Sequence, residues 1–143
     1  MSGLAIQFFT EDIDFLIKKK GYIRKWICKA IAEESHKLRE LNFIFCNDNY
    51  LLSINQQFLN HNTYTDIITF DNSEKEGEIV GDIFISVERV RENAEHFKTK
   101  LEDELHRVMI HGTLHLLGYP DKGKEAKAIM TLKEDNYLAK RMF

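Results

Sequence analysis

The segment HGTLHLLGYPD, residues 111–121, predicts both the end of a helix and a group of side chains that can bind a metal ion. On a helix that turns about 100° per residue, His111 and His115 lie about 40° apart on one face, one turn from each other. Gly118 can end such a helix in a left-handed conformation, and the residue before the following proline is biased towards an extended one. The chain therefore turns back soon after His115, and the turn can bring Asp121 to the two imidazoles.

Two histidines and one carboxylate form a ligand set that suits Zn²⁺, and three protein ligands leave a fourth position open for water. A lone HxxxH pattern is weak, because paired histidines also occur on helices without any metal. The longer spacing HxxxHxxGxxD is more specific. The sequence thus predicts one zinc-like ion held by His111, His115 and Asp121, and the open position favours a catalytic over a structural site.

The residue after the first histidine separates two classes of reaction. Metalloproteases of the HExxH type carry their general-base glutamate there. Here the position holds Gly112, which has no side chain to accept a proton. A plain peptidase is therefore disfavoured, although the spacing is similar to that of metzincins. Phosphodiester hydrolysis fits better, because a metal can supply both the Lewis acid and the nucleophile.

Other polar residues flank this helix face. Glu104 lies about two turns before His111, where it could support the site, but a solvated position near the helix start is the favoured interpretation. Arg107 could contact an anionic substrate, and a surface salt bridge is the favoured alternative. The remaining histidines have no partner at ligand spacing; we expect surface positions for them, with His61 alone in a loop that could reach a site. They are His36, His61, His96 and His106.

Composition is that of an ordinary soluble globular domain. The chain has 143 residues, of which 43% are hydrophobic and 30% charged. It contains no apolar run of the roughly 18 residues that a membrane span needs, and its N-terminus does not resemble a signal peptide, so we expect a cytoplasmic protein. The formal charge of −3 means that any nucleic-acid binding must rest on a local patch. Cys28 and Cys46 are predicted to be reduced core residues.

The order of elements predicts an α+β (mixed α/β) fold. We expect a single domain over 1–143, in which a small mixed sheet of about four strands is packed by about five helices, with the metal site at the end of a central helix. Asn47, Ser86 and a Thr99–Glu102 capping box are predicted to begin three of the helices. The predicted strands are 4–9, 41–46, 66–70 and 78–86, with a hairpin over 72–77, and the predicted helices are 22–40, 47–58, 86–97, 99–118 and 124–141.

The histidine motif resembles HGxLHLxGYDH, the signature of the YbeY-type bacterial endoribonucleases that act in ribosomal RNA maturation. Here it reads HGTLHLLGYPDK (111–122). The resemblance also covers LSINQQFLNHNTYTDIITF (52–70), GDIFIS (81–86) and a C-terminal helix that contains Met130 and Glu134. It therefore extends over nearly the whole chain, in the right order.

The resemblance implies a zinc-dependent enzyme that cleaves single-stranded RNA in rRNA maturation and ribosome quality control. It makes His111 and His115 the first two zinc ligands and places Thr65–Asp66 and Gly81–Asp82 near the site. The implied partners are precursor rRNA and the ribosome, ribosomal proteins or small GTPases, with no membrane. Asp66 is a candidate general base, although the resemblance does not assign that role.

The sequence departs from the family pattern at two positions. Asp121 stands where the family usually has a third histidine, which lowers the net charge of a zinc site to about +1 from about +2. Leu59 stands where the family usually has an arginine suited to phosphate. A basic cluster could replace this cation, although a solvated helix face is the favoured interpretation. It comprises Lys18, Lys19, Lys20, Arg24, Lys25 and Lys29.

Three functions therefore stay open at this point. The first is a metal-dependent endoribonuclease. The second is a metallohydrolase of another class, such as a metzincin-like peptidase or an amidase. The third is a non-catalytic ribosome-assembly factor in which the ion braces the fold.

Overall fold

A computed structural model describes residues 5–59 and 65–143. These residues form four strands and five helices in the predicted order. The elements are β1 (Ile6–Glu11), α1 (Lys20–Glu33), β2 (Lys37–Cys46), α2 (Asp48–Leu59), β3 (Ile67–Asp71), β4 (Glu78–Ser86), α3 (Val87–Phe97), α4 (Leu101–Leu116) and α5 (Lys124–Ala139).

The four strands form one mixed sheet in the order β1-β2-β4-β3. β2 runs parallel to both β1 and β4, whereas β3 pairs with β4 in the antiparallel direction. The connection between β3 and β4 is the predicted hairpin, and it ends at Gly77, whose φ of 81° is readily adopted only by glycine. The predicted fold class is confirmed.

Helices cover both faces of the sheet because the central strands carry apolar residues on both faces, although Asn42 and Asp82 make part of the second face polar. Along β4, the alternate residues Ile79, Ile83 and Ile85 are buried in the main core, which α1, α3, α4 and α5 complete. The opposite face carries a smaller core, in which Leu51 and Ile54 of α2 pack over the sheet. Buried strands with helices on both faces are typical of parallel pairing.

Two predicted helix caps are confirmed and one is wrong. The side chains of Asn47 and Ser86 each accept a hydrogen bond from the backbone N–H three residues further on, at 2.7 and 3.2 Å. In the described chain, α4 begins without a side-chain cap, and Glu102 forms an ion pair with Lys19 (3.0 Å) instead of a capping box. The long-range charge partner replaces the local one.

The first helix is shorter than predicted. α1 ends at Glu33 instead of near Glu40, because Ser35 takes a left-handed conformation (φ 60°) and the chain reverses into β2. Leu38, which fits the helical stripe, pairs with Ile79 of β4. Leu38 fits both the helical period of α1 and the two-residue alternation of β2, and its pairing with β4 places it in the strand. Residue 4 of the first predicted strand lies outside the described residues.

The two cysteines differ in environment. Cys46 is buried at the end of β2, as predicted, but Cys28 is exposed. The buried stripe of α1 contains Ile27 and Ile31, and a residue one position beyond Ile27 is rotated by about 100° away from that stripe.

None of the helices within residues 5–59 and 65–143 combines the length and the apolar composition that a membrane span needs.

Candidate metal centre

The predicted ligand triad comes together at the C-terminal end of α4. The Nε2 atoms of His111 and His115 lie 3.2 and 3.1 Å from the same carboxylate oxygen, Oδ2 of Asp121. One candidate ligand atom from each residue lies within 4.8 Å of the other two. These three residues therefore could hold one metal ion, and their two-nitrogen, one-oxygen donor set matches that of open zinc sites.

The turn that carries Asp121 is fixed by a contact with a distant helix. α4 ends through Gly118, whose φ is 104°. The next residue, Tyr119, donates its hydroxyl hydrogen to Glu34 at the end of α1 (2.6 Å). Burial raises the pKa of Glu34, but hydrogen bonds from Tyr119, Tyr137 and Lys133 hold it below its usual range overall. An ionised Glu34 thus joins the metal turn to α1 and α5.

His111 is hydrogen-bonded to Glu134, a residue that the sequence analysis did not assign to the site. Its Nδ1 atom lies 2.6 Å from Oε2 of Glu134 on α5. The other carboxylate oxygen of Glu134 accepts from Arg107 (2.8 Å). Burial lowers the pKa of His111, but the hydrogen bond and charge of Glu134, together with the charge of Asp121, raise it overall. The resemblance contained Glu134, yet no spacing rule connects it to His111 across 23 residues.

A cleft of about 370 Å³ opens beside the triad. Thr65, Asp66 and Thr69 line it from β3 and the residues just before that strand. Asn93 donates to the carboxylate of Asp66 (3.3 Å), and burial is the main reason why the pKa of Asp66 is raised. Asp66 lies where the resemblance placed it. Asp82 of β4 does not line the cleft. Its carboxylate accepts hydrogen bonds from Asn42 of β2 and from Asn72 instead.

Two charged residues of α4 outside the triad also line the cleft, and one of them contradicts the prediction. Glu104 is only 8% exposed instead of solvated, because α4 packs against α3, α5 and β3, and this burial raises the pKa of its carboxyl group. Arg107 forms the predicted salt bridge, to both Glu134 (2.8 Å) and Asp135 (2.6 Å), but it also lines the cleft. Among the described residues, Arg107 is the only lysine or arginine in the cleft wall.

The basic cluster of α1 lies elsewhere on the molecule. Arg24 donates to a backbone carbonyl of β1 (2.9 Å), and Lys19 is paired with Glu102. Lys25 and Lys29 line a separate groove between α1 and the C-terminus. Over residues 5–59 and 65–143, no member of the cluster lines the metal cleft, so it does not supply the phosphate-binding cation there.

The remaining histidines take different positions. His96 is exposed, as predicted, whereas His106 is 1% exposed and packs between aromatic rings of the main core. The prediction of a surface position for His106 is therefore wrong. His61 lies outside the described residues. Leu59, where the resemblance leads us to expect an arginine, ends α2 and is 40% exposed.

The packing of Gly112 disfavours a proteolytic glutamate at this position. A Cβ atom there would lie 2.8 Å from Cδ1 of Ile67 and 3.0 Å from two carbons of Ile83. Position 112 therefore faces the sheet, and a side chain there would require Ile67 and Ile83 to shift. A glutamate at this position would start towards these residues of β3 and β4.

Comparison with known proteins identifies the family of the chain. The sequence model of the family described as Endoribonuclease YbeY matches residues 6–142. A relative from Cytophaga hutchinsonii named Endoribonuclease YbeY is 50% identical over 143 residues, which is 100% of both chains. Another of that name, from Flavobacterium psychrophilum, is 52% identical over 130 residues, 91% of this chain and 92% of the relative.

A solved structure shares the fold. The solution structure of a Thermotoga maritima protein aligns with a TM-score of 0.63 at 27% identity, over 93% of this chain and 86% of that one. Family match, full-length relatives and fold all point the same way. The chain belongs to the Endoribonuclease YbeY family.

Proposed function

We propose that this chain is a metal-dependent endoribonuclease that cuts single-stranded RNA during rRNA maturation and ribosome quality control. The observation that carries the proposal is the convergence of His111, His115 and Asp121 beside an open cleft, in a chain whose full-length relatives are named endoribonucleases. The catalytic unit is the whole domain, residues 1–143. Precursor rRNA, the ribosome or its proteins are the proposed partners, and the cytoplasm is the proposed location.

The proposed cofactor is one zinc ion. It would be held by Nε2 of His111, Nε2 of His115 and the carboxylate of Asp121, the atoms that already face one another. When bound, zinc supplies Lewis acidity and an activated nucleophile at neutral pH.

The charge of the cleft makes RNA binding depend on that ion. Four carboxylates and one guanidinium line the cleft, so without a cation it repels phosphate. The lining groups are Asp66, Glu104, Asp121, Glu134 and Arg107. Asp66 is the best-placed residue to accept a proton from an attacking hydroxyl group, since it is the acid that faces the cleft from the β3 side and no ligand role is assigned to it.

The two rival functions fit the molecule less well. A peptidase of the HExxH type is disfavoured because position 112 is a glycine packed against Ile67 and Ile83, so the general-base glutamate of that class is absent. A metal that only braces the fold is disfavoured because the main core is closed by apolar side chains that do not include the triad. Both triad histidines stay partly exposed to the cleft, as a substrate-binding site requires.

The test compares metal content and RNA cleavage of the purified protein and three variants. We expect one equivalent of zinc and chelator-sensitive cleavage of a fluorescent single-stranded RNA. His111→Ala and Asp121→Ala should lose both, whereas His96→Ala, which changes an exposed histidine outside the cleft, should keep both. Equal cleavage by the wild type and His111→Ala would indicate a contaminating nuclease and refute the proposal. Chelator-sensitive cleavage of an unstructured peptide would favour the peptidase.

A further inference from the structure

We propose that Glu134 is a positioning residue that fixes His111 as a metal ligand, and that Arg107 acts on the site only through Glu134. The inference rests on the proposed function, because it assumes that the triad binds a metal ion. It assigns a role to two residues that lie outside the triad.

The first step is the tautomer of His111. A neutral imidazole has one N–H and one free lone pair, and only the nitrogen with the lone pair can bind a metal. The Nδ1 atom lies 2.6 Å from the Glu134 carboxylate, which can only accept, so Nδ1 carries the hydrogen. The Nε2 atom lies 3.2 Å from the Asp121 carboxylate, a longer contact, so in the neutral ring the hydrogen stays on Nδ1 and Nε2 keeps the lone pair that can bind a metal. Glu134 therefore selects the tautomer that the site needs.

The second step is the position of Glu134 itself. Its side chain is only 9% exposed, and a buried carboxylate is costly unless both oxygens have partners. His111 takes Oε2 and Arg107 takes Oε1, at 2.6 and 2.8 Å. The rotamer of Glu134 is thus fixed from two sides, and the imidazole plane with it. In the described part of the chain, no second carboxylate supports His115 in this way.

The third step concerns Arg107. Its guanidinium donates to Glu134 with one nitrogen and to Asp135 with another (2.6 Å). Two carboxylates therefore neutralise the only described lysine or arginine of the cleft wall. A guanidinium that donates to two acids orients Glu134, and the negative charge of its two partners opposes the approach of a phosphate. Arg107 consequently belongs to the support of the metal site and does not replace the family's phosphate-binding arginine.

Glu134→Gln tests the inference sharply, because glutamine has nearly the same shape. Its amide oxygen can accept from Arg107 or from His111, but its NH₂ group must face the other donor. With Arg107 retained, the NH₂ group faces Nδ1 of His111 and favours the opposite tautomer, which leaves no lone pair on Nε2. We expect the zinc affinity, measured by competition with a chromophoric chelator, to fall about tenfold to hundredfold.

Two further variants separate the roles of Asp135, which is the control, and Arg107, whose role is tested. Asp135→Asn changes the neighbouring residue, which is exposed and contacts Arg107 but not His111, and it should change the zinc affinity less than about threefold. Arg107→Met removes the partner that orients Glu134 and should weaken zinc binding about threefold to tenfold. Arg107→Met with unchanged zinc affinity and a raised KM for RNA would make Arg107 a phosphate ligand and overturn that part of the inference.

A measurement on the metal-free protein separates positioning from stability. Nitrogen-15 spectra of labelled histidine, recorded at mildly alkaline pH, distinguish the two neutral tautomers, and the His111 signal is assigned with His111→Ala. We expect the Nδ1–H tautomer in the wild type, a result that needs no Glu134 variant to fold, and a shift towards Nε2–H in Glu134→Gln. Wild-type zinc binding together with an unchanged tautomer and affinity in Glu134→Gln would refute the positioning role. Absence of zinc binding by the wild type would refute the proposed function instead.

Discussion

The carboxyl group of Asp66 lies in the cleft just before β3, where burial raises its pKa above the usual range of an aspartate. Asn93 orients it through a 3.3 Å hydrogen bond, and no ligand role is assigned to it. We expect Asp66→Asn to lower kcat for RNA cleavage by about a hundredfold or more, because the amide cannot accept a proton. Zinc content should stay at one equivalent, which elemental analysis can check.

Glu104→Gln is the matched control for this prediction. Glu104 is a second buried carboxyl group in the same cleft and its pKa is also raised, but it lies on α4 on the side of Arg107. A large loss of kcat in Glu104→Gln with little loss in Asp66→Asn would assign the proton transfer to Glu104.

At this scale the sequence predicts the triad but not its surroundings. His111, His115 and Asp121 fall within one helix end and one turn, where local geometry alone brings them together. Glu134 reaches His111 only through the packing of α5 on α4, and pairing of that kind leaves no local periodic signal. The burial of Glu104 has the same origin, because the side of α4 that β3 and α5 cover depends on contacts distant in sequence.

At the scale of elements, the position of the triad depends on how closely α4 approaches the sheet. Gly112 of α4 leaves room for the side chains of Ile67 and Ile83, and Gly81 of β4 leaves room for Leu116. At Gly81 an added Cβ atom would also lie 2.7 Å from the backbone oxygen of Phe70 on the paired strand. Backbone atoms cannot move aside without separating β3 from β4.

We therefore predict that both substitutions to alanine destabilise the fold and that Gly81→Ala is the worse. Gly112→Ala gains about 1 kcal/mol of helix propensity but loses about 1–3 kcal/mol to overpacking. Gly81→Ala gains about 0.5–1 kcal/mol of backbone entropy, but because it meets a backbone oxygen it should still cost about 2–3 kcal/mol in the free energy of unfolding, measured with urea. Gly21→Ala is the control, since an added Cβ meets nothing within 4 Å. Equal stability of Gly81→Ala and the wild type would show that the strands adjust freely.

Element types are predicted well because most segments satisfy a single hydrophobic period. β4 is an example, since its predicted bounds are those observed. The end of α1 is predicted poorly, because Leu38 fits the helical stripe and the β2 alternation equally well. The left-handed turn at Ser35 decides between them, and serine gives no sequence signal as strong as glycine for that conformation.

For the whole molecule, polar contacts hold the C-terminal helix against the rest of the domain. Only Met130, Glu134 and Tyr137 of α5 are buried, which is a narrow face for a helix of 16 residues. The indole N–H of Trp26 donates to the backbone oxygen of Tyr137 (2.7 Å), and Glu34 accepts from the Tyr137 hydroxyl. Because these contacts include ionisable groups, docking of α5 depends on pH.

His106 adds a further dependence of this kind. It is buried beside the rings of Trp26 and Phe143, and its Nδ1 atom accepts a hydrogen bond from Arg141 just after α5 (2.7 Å). Burial and the charge of Arg141 lower the pKa of His106 to about 4, although Glu102 and Asp103 on its own helix oppose the shift and Lys19 adds to it. The folded state therefore keeps His106 neutral.

The unfolded chain binds a proton at His106 below its ordinary pKa of about 6.5, whereas the folded chain does so only near pH 4. The contribution of His106 to the free energy of unfolding is thus fully present above about pH 6.5. It falls as the pH drops towards 4, by about 3 kcal/mol in total. His106→Phe keeps an aromatic ring but removes the titration. We expect its free energy of unfolding, measured with urea between pH 7 and 4.5, to fall less steeply than that of the wild type. Parallel curves would mean that His106 titrates alike in the folded and the unfolded state. The acid sensitivity of α5 would then come from carboxylates such as Glu34. Because the pKa of Glu34 is lowered in the folded state, its contribution should be lost only below about pH 4.5.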